Sequence, residues 1–244
     1  MARFANKYGL AGILLAFVLG TSLVATSSAM AVIKNGEWEV NKLILAKGSE
    51  EQYVLKSNTN FTFTGEENKT KFQVQCTGVK IQGMAKIFGG NPGTNSEQFT
   101  MTGCSITGAE KAECEVANGE VKLEKMESEI VENENVAGEG LLVFREAPAQ
   151  VRLGTVGIKQ VGNGNGCKVT GCPNMKGSVL ASVASEKAEV EMKITFNSAL
   201  IKYVKVGGAK PVGSFELGEL TPAEFKGSIN IELTTKAPFK IVIK

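Results

Sequence analysis

Thr70-Lys71-Phe72-Gln73-Val74-Gln75-Cys76 alternates polar and apolar side chains without a break. Phe72, Val74 and Cys76 fall on one side and Lys71, Gln73 and Gln75 on the other. That period of two belongs to a strand with one face on a core and one in water. The rhythm recurs in both directions along the chain. Asn60 to Thr64 carries Phe61 and Phe63 on one face, and Val79 to Ile87 sets Val79, Ile81, Ala85 and Ile87 inward. Glu189 to Phe196 opposes Val190, Met192, Ile194 and Phe196 to charged and polar neighbours, and Ser228 to Thr234 and Phe239 to Ile243 repeat the pattern. Between the runs stand turn-formers such as Gly89-Gly90-Asn91-Pro92-Gly93, Gly162-Asn163-Gly164-Asn165-Gly166 and Gly207-Gly208, whose glycines and asparagines reach positive φ at low steric cost. About a dozen strands at this spacing predict an all-β fold, an antiparallel β-sandwich or β-barrel.

Two stretches read differently. Glu120 to Asn135 is rich in helix formers, yet Val121 and Leu123 alternate, and we read it as strand. Thr221-Pro222-Ala223-Glu224 predicts one helical turn, with Thr221 as cap and Glu224 reaching back to it. No linker rich in proline or serine divides residues 32–244, which read as a single all-β domain.

Residues 1–31 read as a secretory signal helix. Arg3 and Lys7 precede an apolar run from Leu10 to Val24, and Ala29 and Ala31 supply the small-residue cleavage pattern. The run is shorter than the roughly 20 residues of a membrane span, so no membrane span is expected after cleavage. The expected location is secreted, extracellular or on the cell surface. Without Arg3 and Lys7 the remaining 25 basic residues match the 25 acidic ones, which argues against a nucleic-acid partner.

The chain has no histidine, and all of its acidic residues are glutamate. That removes Ser-His and Cys-His nucleophile pairs, histidine-ligated zinc and imidazole proton transfer. It also removes the aspartates of calcium loops and of magnesium-dependent phosphoryl transfer. We expect no catalytic residues, no metal and no cofactor.

Five cysteines invite disulfides in an oxidising compartment. Sequence does not fix the connectivity of five cysteines; proximity favours Cys104 with Cys114 and Cys167 with Cys172, with Cys76 the candidate for a thiol left free or paired between molecules. The glutamates Glu124, Glu127, Glu129, Glu132, Glu134 and Glu139 are interleaved with Lys122 and Lys125 and read as a solvated face rather than as paired catalytic carboxylates. Gly162 to Gly166 lacks the Lys-Ser or Lys-Thr of a phosphate loop and reads as a hairpin tip. Trp38, the one tryptophan, reads as a plug closing one end of the fold.

The order Val74-Gln75-Cys76, Phe99-Thr100-Met101-Thr102-Gly103-Cys104, Cys114, Gly119-Glu120-Val121, Cys167 and Lys176-Gly177-Ser178-Val179 resembles secreted, cysteine-containing β proteins of unknown function. These occur as many paralogues in soil actinobacteria, a Solirubrobacter-like family. The likeness spans roughly residues 36 to 235 and implies an exported β protein without assigned activity. Cys172 departs from that pattern.

The leading expectation is a non-catalytic secreted or surface protein that binds an envelope component or a protein partner. The first alternative is a self-assembling structural subunit whose terminal strand, Ala237 to Lys244, adds to a neighbour's sheet. The second is a carrier holding an apolar ligand in a closed barrel.

Overall fold

The computed structural model of the 244-residue chain describes residues 35–67, 70–108, 113–133, 139–161, 167, 173–183, 187–198, 215–220 and 222–243. The signal reading of residues 1–31, the Gly162 to Gly166 tip, Glu134, Thr221 and Cys172 lie outside these residues.

A hairpin of β1 (Gly36–Val40) and β2 (Leu43–Ile44) comes first. The chain then makes long passes, most of them kinked into two strands. They are β3 (Glu50–Asn58) with β4 (Phe61–Glu67), β5 (Thr70–Ile81) with β6 (Ala85–Phe88), β7 (Thr94–Glu97) with β8 (Phe99–Thr107), and β9 (Cys114–Leu123) with β10 (Met126–Glu132). Then come β11 (Gly140–Glu146) with β12 (Gly154–Gln160), β13 (Asn174–Lys176) with β14 (Ser178–Val183), β15 (Glu191–Asn197) with β16 (Glu216–Leu217), and the unbroken β17 (Glu224–Leu233) before β18 (Phe239–Ile243). The kinks carry residues that permit them: Gly83 between β5 and β6 and Gly177 between β13 and β14 stand at φ 73° and 86°, where a Cβ is strained.

One half of each pass enters a ring and the other half a second sheet. The ring runs β17-β3-β6-β7-β10-β11-β14-β15 and returns to β17 through the ladder Glu191↔Glu232 to Asn197↔Lys226. It is a closed, antiparallel, eight-stranded barrel. The other halves run β17-β4-β5-β8-β9-β12-β13-β16, in the same order of passes. The whole is an up-and-down meander, the simplest closure for strands joined by short turns. Between sandwich and barrel, the barrel is the fold.

A small sheet, β18-β1-β2, covers one end of the ring. Gly36 pairs with Ile243 and Val40 with Phe239. A methyl group on Gly36 would stand 2.1 Å from Ile130 Cγ2, and one on Gly140 would stand 2.5 Å from Ile241 Cγ2, so the absence of side chains there lets the sheet seat on the barrel. Trp38 is fully buried in this seat, as its reading as a plug required, and its ring lies 6.3 Å from that of Phe239. The terminal strand is paired along one side with β1 of its own chain.

The interior is packed with rings. Phe61, Phe63, Phe144, Phe196, Phe215 and Phe225 meet at the waist between ring and second sheet, with neighbouring centroids 4.8 to 6.0 Å apart. The void they leave is about 20 Å3, room for about one water. At this level the interior of the barrel is filled by its own side chains.

The disulfide pairing differs from that expected. Cys76 bonds to Cys104 and Cys114 to Cys167. The ladder explains it: Cys76 and Cys104 are directly opposite on β5 and β8, with Cα atoms 3.9 Å apart. The β8–β9 register instead carries Cys104 toward Asn118, four residues and about 13 Å of strand from Cys114, beyond the reach of a disulfide. Cys114 pairs with Gln160 at the end of β12, seven residues before Cys167 in the sequence. Cys76 is thus bridged rather than free.

Three smaller expectations change. Val79 to Ile87 is interrupted at Gln82 to Met84 before β6 begins. Val190 precedes β15 and is 41% exposed. Glu224 opens strand β17 opposite Thr64, so no helical turn ends there. The stretch from Glu120 is strand, as read: β9 and β10 with a two-residue break.

Candidate functional site

With the waist of the barrel filled, the candidate site is a groove of about 360 Å3 on the outer face of β6, β7, β10 and β11. Two cross-strand rows build it, since residues directly opposite one another share a face. One row is Phe88, Thr94, Glu129 and Val143; the other is Ser96, Glu127 and Arg145, with Lys86 beyond Ser96 outside the groove and ion-paired to Glu50. Phe88 and buried Val143 make an apolar floor. The β11–β12 turn adds Glu146 and Pro148, and the β9–β10 break adds Lys125. This turn is pinned by the Ala147 amide, which donates to the Lys125 carbonyl at 3.2 Å.

Arg145 Nη2 lies 2.6 Å from Glu129 Oε1, a diagonal ion pair across the groove. Both partners are partly exposed, so the pair contributes little to stability. It does fix the guanidinium in place. Counting Glu127, Glu129 and Glu146 against Lys125 and Arg145 leaves the groove with one negative charge in excess.

No family model, no curated protein and no solved structure is similar to this chain.

The glutamates expected to form a solvated face divide between roles. Glu124 and Glu129 are held by Arg152 and Arg145, at 2.5 and 2.6 Å, Glu139 accepts from Asn133 Nδ2 at 2.8 Å, and Glu127 lines the groove with Glu129. Among the described residues no three of His, Cys, Asp or Glu are grouped so as to hold a metal, and no helix is long and apolar enough to cross a membrane.

Glu97, which the sequence did not single out, stands apart. It is 2% exposed and faces the interior of the ring beside Asn95 and Ser128. Ser128 Oγ donates to Asn95 Oδ1, and Asn95 Nδ2 donates to Glu97 Oε2 at 3.3 Å. Burial pushes the Glu97 carboxyl well above the usual carboxylate range. Its signal in sequence was weak, because Thr94-Asn95-Ser96-Glu97 has no apolar residue to mark an inward face.

Proposed function

We propose that this protein is an exported, non-catalytic binding module, and that its outer groove takes a segment of a partner protein. The observation that carries this reading is the contrast between a barrel waist left with a void of about 20 Å3 and an open, mixed apolar and charged groove of about 360 Å3. Sites of that size with an apolar floor and a few fixed polar groups suit a ligand side chain and its neighbours. The absence of histidine and aspartate supports a role without catalysis. Two disulfides support an oxidising, extracellular location and fit the signal reading of residues 1–31 and the resemblance to secreted actinobacterial proteins.

The excess negative charge favours a segment that places an apolar side chain on Phe88 and Val143 and a basic one near Glu127. The carrier reading loses support from the filled waist, and assembly by the terminal strand loses it from the β1–β18 ladder. Selection from a displayed random-peptide library on residues 32–244 tests the proposal. Peptides that share an apolar residue beside a basic one are expected, and failure to enrich any family would count against it.

A further inference from the structure

Glu97 Oε1 and Tyr53 Oη are both buried and without a hydrogen-bond partner among the described residues. Two such groups inside one closed ring need an explanation, because a buried polar atom left unpaired costs about 1–3 kcal/mol.

The register places them together. Tyr53 on β3 is opposite Ala85 on β6, and continuing the Lys86↔Ser96 register by one residue sets Ala85 against Glu97 on β7. Tyr53, Ala85 and Glu97 therefore share one inward-facing rung, flanked by Leu233 beyond Tyr53 and Met126 beyond Glu97. Two strand spacings separate Tyr53 from Glu97, about 10 Å between Cα atoms. Ala85, the smallest side chain of the rung, stands between them in the register.

The geometry points to a sealed site on this rung that takes a water molecule, accepting one hydrogen bond from Glu97 and one from Tyr53. The proton count favours water over direct contact. Asn95 already donates to Oε2, so a neutral Glu97 carries its proton on Oε1, where it needs an acceptor. The Tyr53 hydroxyl carries a second proton. If Glu97 donated directly to Tyr53 Oη, the phenol proton would remain without an acceptor. Water accepts both, and its own protons can go to a lone pair such as that of Ser128 Oγ. An ion suits the rung less well, since burial disfavours charge there. Trp38 and Phe239 at the small-sheet end and Phe144 and Phe196 at the waist are each at most 3% exposed, so both ends of the ring are shut off from solvent.

The test is a crystal structure at a resolution that orders water, for the wild type and Tyr53→Phe. A wild-type density peak is expected within about 2.6–3.2 Å of both Tyr53 Oη and a Glu97 oxygen, displaced or weakened in the variant. An absent peak, or a direct Tyr53–Glu97 hydrogen bond, overturns the proposal. In solution, Tyr53→Phe and Glu97→Gln are expected to be non-additive by about fivefold in the unfolding equilibrium. Additive effects would also overturn it.

Discussion

Trp38 Nε1 donates to the main-chain oxygen of Thr94 at 3.0 Å, tying the small terminal sheet to a strand of the barrel. The indole fills the end of the ring, and the bond gives its only polar atom a partner, as buried tryptophan requires. Trp38→Phe is expected to lose about 1–2 kcal/mol from that bond, and Trp38→Ala about 3–5 kcal/mol from the cavity as well. Urea unfolding followed by circular dichroism measures both. Equal stability of Trp38→Ala and wild type would show that the sheet is not a plug.

Removal of residues 237–244 follows from the same seat. Because β18 is the partner of β1, the shortened chain is expected to unfold at lower urea, with Trp38 exposed and its fluorescence shifted to the red. A shortened chain of unchanged stability would mean that the terminal strand does not close its own sheet.

The two disulfides close loops of 28 and 53 residues. Chain entropy assigns them about 3.5 and about 4 kcal/mol. Replacing Cys76 and Cys104 together by alanine, or Cys114 and Cys167 together, is expected to lower stability by amounts of that order. Peptide mapping without reductant should recover linked peptides 76–104 and 114–167; a 104–114 link would contradict the ladder.

Glu97 gives stability a pH dependence of definite sign. Tyr53, Ala85, Asn95, Ser128 and Met126 face or flank it, and the nearest other carboxyl along the rung is that of Glu146, opposite Met126. The folded chain keeps the Glu97 proton where the unfolded chain, with a carboxyl near about 4.3, has lost it. Its contribution is therefore full below that value and falls as pH rises above it. Glu232, which Lys236 and then Lys56 hold below the usual carboxylate range, acts in the opposite sense: its contribution is present above the unfolded value and lost in stronger acid. Between pH 5 and 8 wild type should lose stability as pH rises, and Glu97→Gln should lose less. Parallel curves for the two proteins would contradict the assignment.

What the sequence made legible follows from where the apolar residues fall. Phe72, Val74 and Cys76 mark β5 because their strand has one wet face. Leu141 to Phe144 in β11 is buried on both sides and shows no alternation, and β7 hides because its inward residues are Asn95 and Glu97. The disulfides were misread because nearness in sequence is a poor guide once a meander sets β5 against β8. The groove was not legible, since Phe88, Thr94, Glu127 and Val143 come from four passes that only the register brings side by side.

The most direct measurement is the affinity of a library-selected peptide, titrated by fluorescence anisotropy against wild type, Phe88→Ser and Glu127→Lys. Both positions are only partly buried, and the variants are expected to stay folded while binding weakens tenfold or more, about 1.4 kcal/mol. Glu127→Lys should also reverse the preference for a basic peptide residue. Undiminished binding by both folded variants would contradict the groove as the site of recognition.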